Sequence, residues 1–77
     1  MEATVPGYAI LVYGDEAGGF SSYSPSLPGV VAAASTYDEC ATLMREAVAF
    51  HLEGLREAGD PVPEPDVVGA EVVVVAA

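Results

Sequence analysis

The stretch from Thr36 to Gly59 limits the folds open to this chain more than any other. Thr36-Tyr37-Asp38-Glu39 matches the T-x-x-E capping box, in which threonine and glutamate satisfy the first orphan amides of a helix. Asp38 and Glu39 also suit the positive end of the helix dipole. From there to Ala58 the apolar period stays close to 3.6. Tyr37, Cys40, Ala41, Leu43, Met44, Ala47, Val48, Phe50, His51, Leu52 and Leu55 share one broad face. Asp38, Thr42, Arg45, Glu46, Ala49, Glu53, Arg56 and Glu57 take the other. Gly59 follows as a C-terminal cap, and Pro61 prevents resumption. The helix is therefore expected to lie across a sheet built from the rest of the chain.

Strand signals flank it on both sides. Tyr8 to Tyr13, "YAILVY", is rich in β-branched and aromatic side chains and apolar on both alternating sets. That pattern predicts a strand covered on both sides and central in its sheet. "GDEAGG" carries three glycines for a tight reversal, and Phe20 to Ser24 reads as the returning arm of a hairpin. Next comes an elbow, Pro25-Ser26-Leu27-Pro28-Gly29, whose prolines lack amide donors and push their predecessors toward extended geometry. The elbow is expected to interrupt the sheet, with pairing restored over Val30 to Ala34. Leu27 is either a buried plug or a displayed ridge, and the preference of apolar residues for the interior favours the plug. Beyond the helix, "DPVPEP" reads as extended linker and Val67 to Ala76 as a final strand. A helix between two strands is the usual link between parallel neighbours. The expected fold is α+β, in the order β-β-β-α-β, as a single domain over residues 1–77.

The segment from Tyr23 to Pro65 resembles the HicB antitoxin family. That family has a glycine-led strand running into a P-D-L-P-G elbow, a threonine-capped helix with an E-A pair, then a glycine and a P-x-P exit. Here the matching residues are Gly19, Pro25 to Gly29, Thr36, Glu39, Glu46-Ala47, Gly59 and Pro63-Glu64-Pro65. The resemblance implies a partial ribonuclease-H-like fold: a three-stranded antiparallel meander with a fourth strand parallel to the first and one helix packed on the sheet. It also implies a partner, a small basic HicA-type mRNA interferase toxin whose active surface the antitoxin blocks. The chain departs from the family in having Ser26 where aspartate is usual, Val30 where cysteine is usual, and Ala32-Ala33-Ala34-Ser35 in place of small polar residues. It also ends at Ala77, about where the family's C-terminal DNA-binding part begins.

Charge and composition bear on the same question. Twelve acids stand against Arg45 and Arg56, a net charge of −10. Duplex binding requires several phosphates to be neutralised by Lys or Arg, so direct nucleic-acid binding by this chain is not expected. A basic partner protein suits the charge, although high net charge also simply keeps small proteins in solution. A chain of this size buries a marginal core, and one cysteine and one histidine leave neither a disulfide nor a multi-cysteine metal site to reinforce it. Self-association, as a dimer or tetramer, is the expected support. The "EVVVV" run is expected to be covered, by the first strand and a second subunit or by the helix, with Val72 and Val74 as candidate interface residues. Asp15, Glu16, Ser26 and Leu27 are the candidate partner-binding residues.

No catalytic residue, cofactor or metal site is expected. Two-metal phosphodiester hydrolysis needs carboxylates converging from strands and helix. The first strand has no acid, the last has only Glu71 at its start, and Glu46 falls on the polar helix face. Cys40 and His51 sit about 16 Å apart along one helix, too far to share a proton. Cys40 reads as a small core residue and His51 as a packed imidazole. No apolar run approaches the ~18 residues of a membrane span, and the N-terminus lacks a basic signal-peptide region. A cytoplasmic protein is expected.

Overall fold

A computed structural model describes residues 7–75. Three strands precede one helix: β1 (Leu11–Asp15), β2 (Gly19–Ser24), β3 (Leu27–Ala34) and α1 (Tyr37–Ala58). The strands form an antiparallel meander in the order β1-β2-β3. The helix packs across β3 and β2 and barely reaches β1.

The helix ends are built locally, as the capping residues dictate. The Thr36 hydroxyl accepts from the Glu39 amide (3.1 Å) and donates to Glu39 Oε1 (3.0 Å). At the other end the Gly59 amide donates to the Arg56 carbonyl and the Asp60 amide to the Leu55 carbonyl, which consumes orphan acceptors of the last turn. Phe20 on β2 meets Tyr37 edge-on, with ring centroids 6.2 Å apart, and so ties the helix start to the sheet.

Alternation sorts the sheet into two faces. In register, Val12 faces Ser22 and Ser22 faces Ala32, and this row lies under the helix. Leu27, Val30, Met44 and Leu52 form the core, with Tyr8, Ile10, Val48, Leu55 and Val62 packed against it. The opposite row, Leu11, Tyr23 and Val31, belongs to a face that no helix covers, and Tyr13 and Tyr23 stack edge-on there at 6.2 Å.

The elbow does not interrupt the sheet. Ser24 pairs with Leu27, yet its neighbour Tyr23 pairs with Val31, so Pro28, Gly29 and Val30 have no counterpart on β2. They form a bulge inside β3, with Gly29 at φ 89°. A bulge needs no ladder bond from Pro28, which removes the objection to proline inside a strand. It also turns both Leu27 and Val30 inward while Pro28 and Gly29 face solvent. The stiff, apolar elbow thus delivers two core side chains from four consecutive positions.

Two other expectations are corrected. β1 begins at Leu11, not Tyr8, and it lies at a sheet edge with Tyr13 exposed, so it is neither central nor covered on both sides. The fourth strand over Val67 to Ala76 is not formed: residues 67–75 join no ladder, and Ala76 lies outside the described residues. Nor is the valine run covered, since Val72 to Val75 are each between 76% and 93% exposed. High strand propensity is a preference for a pleated, half-buried place, and here the single chain supplies no neighbour to make one.

Candidate protein-interaction surface

Asp15 and Glu16 stand together at the β1–β2 tip. Asp15 is part of the turn itself, because its Oδ1 accepts from the Gly18 amide at 2.7 Å. Asp15 and Glu16 are both exposed. Ser26 lies in the other turn, at the opposite end of β2 and so roughly 20 Å away by the rise of a six-residue strand. The Ser26 hydroxyl donates to Asp66 Oδ1 at 2.6 Å, which ties the turn to the chain beyond the helix. Leu27, next to it, is only 1% exposed. Its side chain belongs to the core and offers no surface to a partner. The structure therefore does not unite the four sequence candidates; it leaves an acidic tip at one end and a hydrogen-bonded turn at the other.

A larger surface runs along the helix. Glu39, Leu43, Glu46, Phe50, Glu53 and Glu57 follow one another at spacings of three and four, which places them on one flank. All six are exposed, Phe50 by 80%. Leu43 sits in a shallow acidic groove of about 420 Å³ with Asp38, Glu39 and Glu46. Phe50 and His51 border a second open groove of about 370 Å³ against Val31 and Gly29 of β3. His51 is half-buried at its edge rather than enclosed in the core.

The sequence pattern assigned Leu43 and Phe50 to the face expected to lie on the sheet. That face is wider than three strands can cover, and burial stops at Cys40, Ala41, Met44 and Leu52 with Ala47, Val48 and Leu55 at its margin. The signal that could have separated them was there: glutamates at 39, 46, 53 and 57 flank 43 and 50 on the same side of the helix.

For chemistry the arrangement offers little. Cys40 is fully buried, its thiol 3.9 Å from the Ala32 carbonyl. Asp15 and Glu16 are in a turn, Glu46 is on the outer helix flank, and Glu71 is on the tail. Among the described residues no three His, Cys, Asp or Glu side chains stand close enough to hold a metal ion. No helix among them is long and apolar enough to cross a membrane. The helix flank sets clustered negative charge around the exposed apolar side chains of Leu43 and Phe50.

The family model for the HicB-like antitoxin of bacterial toxin–antitoxin systems matches residues 8–73. No curated protein and no solved structure matches the chain.

Proposed function

The chain belongs to the HicB-like antitoxin family of bacterial toxin–antitoxin systems, and from that premise we propose that it binds and neutralises a small, basic HicA-type mRNA interferase. It does so without catalysis, by occupying the toxin's positively charged RNA-binding face. The observation that carries this reading is the helix flank in which Glu39, Glu46, Glu53 and Glu57 surround exposed Leu43 and Phe50. Opposite fields accelerate encounter, and a large side chain closing a desolvated centre supplies most of the holding energy. Asp15 and Glu16 add negative charge at the hairpin tip, and Ser26 keeps the second turn in place. This chain makes no direct nucleic-acid contact, and its action is in the cytoplasm, where messenger RNA is the toxin's target.

We also read the protein as a homo-oligomer, with Val72 and Val74 in the contact between copies, because an exposed valine run is costly to leave in water. The same exposure favours a second reading, a self-associating HicB-like module with no toxin partner. The two are separated by asking whether a small basic protein is encoded beside this chain and, where one is, by co-expressing the two and attempting affinity capture. A stable complex that Glu46→Lys with Glu53→Lys disrupts supports the first reading. A neighbour that folds and does not bind the native chain sinks it.

A further inference from the structure

The outer edge of β3 is open, and it runs beside the acidic flank of the helix. β2 pairs with one side of β3, and among the described residues no strand pairs with the other. Edges are commonly blunted by charge, proline or a bulge. Here Pro28 and the bulge sit near the start of β3. The regular part, Val31 to Ala34, is one valine and three alanines and carries none of those devices. It presents a row of amides and carbonyls without ladder partners, beside side chains small enough to admit a neighbouring backbone.

A groove adjoins that edge. Gly29 and Val31 form one wall, and Phe50, His51 and Gly54 of the helix form the other. Gly54 contributes no side chain, and a Cβ built there meets nothing within 4 Å, so the helix is notched on the side facing the strand. An exposed sheet edge takes up extended peptides by strand addition. The ladder supplies affinity, and pockets beside it read alternate side chains.

We propose that the β3 edge accepts an extended segment of a basic partner as an added strand, with an apolar side chain in the groove beside Phe50 and cations against the helix glutamates. The proposal rests on the docking reading above and deepens it: the partner is held through its backbone as well as through its charge. In a strand, residues two apart share a face. The segment that fits therefore carries Lys or Arg two positions before and two positions after the apolar residue, all three turned toward α1.

Charge selects this occupant. Glu39, Glu46, Glu53 and Glu57 line the flank, and neither arginine joins them. Arg45 lies on the β1 side of the helix with Tyr8 and Ile10, and Arg56 follows it about three turns later. A second copy pairing edge to edge would bring its own glutamates against these, with −10 on each chain. The chain's own segment beyond the helix offers no complement either: it carries Asp60, Glu64, Asp66 and Glu71 and no cation. A cationic strand alone gains from this edge on both counts.

The test uses the full chain and a synthetic peptide, acetyl-Thr-Arg-Thr-Leu-Thr-Arg-Thr-amide. Titrated into ¹⁵N-labelled protein, the peptide should shift the amides of Val31 to Ala34 and slow their hydrogen exchange. Replacing both of its arginines by glutamate, or N-methylating its alternate amides, should weaken binding at least tenfold. Gly54→Phe, which fills the notch from the helix side, should weaken it as much while the helical circular dichroism is retained. Binding that N-methylation leaves unchanged overturns strand addition and leaves charge-led docking on the flank standing. Shifts confined to Leu11–Asp15, contacts to Val31–Ala34 from residues 67–75 in place of the peptide, or no binding at millimolar peptide each overturn the β3 site. Capture of a basic neighbour is scored separately: a captured neighbour beside a silent peptide sinks strand addition alone.

Discussion

The hydroxyl of Ser26 donates a 2.6 Å hydrogen bond to Asp66, forty residues further along the chain. Ser26 stands in the elbow where the resembling family usually carries aspartate. A carboxylate at that position would face the Asp66 carboxylate at hydrogen-bond distance, exchanging a donor for a like charge. Ser26→Asp should therefore cost up to about 1 kcal/mol, modest because the site is partly solvated, and should release the segment beyond the helix. Backbone ¹⁵N relaxation at Glu64, Asp66 and Val67 is expected to show faster motion in the variant. The reciprocal pair, Ser26→Asp with Asp66→Ser, should restore the native relaxation, because donor and acceptor are then merely swapped. Unchanged relaxation in the single variant would show that Val62 and Tyr8 anchor the segment unaided.

The β1–β2 tip depends on Gly14. Its φ is 119°, and a Cβ built there would lie 2.2 Å from the Gly19 carbonyl oxygen, a backbone atom that cannot move without breaking the ladder. Gly14→Ala is accordingly expected to destabilise the fold by about 2 kcal/mol or more. The midpoint of urea unfolding measures it. A midpoint within error of the native one would mean that the hairpin relaxes freely around Asp15.

Ser22 predicts a gain instead of a loss. It is 1% exposed beneath the helix, and its Oγ finds no hydrogen-bond partner among the described residues. An unmatched buried hydroxyl carries its desolvation cost in the folded state and regains water on unfolding. Ser22→Ala removes that cost and opens little space, so stability should rise by about 1 kcal/mol, read as a higher denaturation midpoint with an unchanged slope. A lower midpoint would mean that the hydroxyl is satisfied in solution.

What could be read from the residues follows how local each interaction is. Thr36, Glu39 and Gly59 bond to atoms within four residues, and the helix runs between them as their pattern predicts. The meander was legible for a similar reason, since its hairpins join neighbours in sequence. Leu27 as a plug followed from its apolarity alone. The bulge was not legible, because Pro28 and Gly29 signal a break equally well whether the chain leaves the sheet or kinks within it. The fate of Val72 to Val75 was not legible either: strand propensity states that a neighbour is needed, not which chain provides it. Leu43 and Phe50 were misassigned because apolar spacing measures the width of a stripe, whereas the width of the sheet decides how much of it is covered. In the candidate surface, the acids at 15 and 16 lie at an exposed tip, as a glycine-rich reversal implies, while the helix flank was marked by its glutamates and missed because apolar spacing alone grouped Leu43 and Phe50 with the buried face.

Leu27 and Phe50 offer the sharpest separation between scaffold and surface. Both are large and apolar, but one is 1% exposed and the other 80%. Leu27→Ala removes packing against Val30, Met44 and Leu52, a truncation that costs about 2–5 kcal/mol in a close-packed core. Phe50→Ala takes away a side chain that the fold scarcely contacts, so stability should change by no more than about 0.5 kcal/mol. Binding is expected to reverse the order. On the proposed docking face Phe50 is the largest exposed apolar group among the glutamates of α1, and its loss should weaken the proposed complex with a basic toxin by at least tenfold. Leu27→Ala, measured under conditions where the variant remains folded, should bind within about twofold of the native chain, since its side chain never reaches the surface. Calorimetric titration of both variants against the purified toxin, beside their urea unfolding curves, decides the matter. If Phe50→Ala binds like the native chain, the partner docks elsewhere, and the open sheet face around Tyr13 and Tyr23 becomes the next surface to vary.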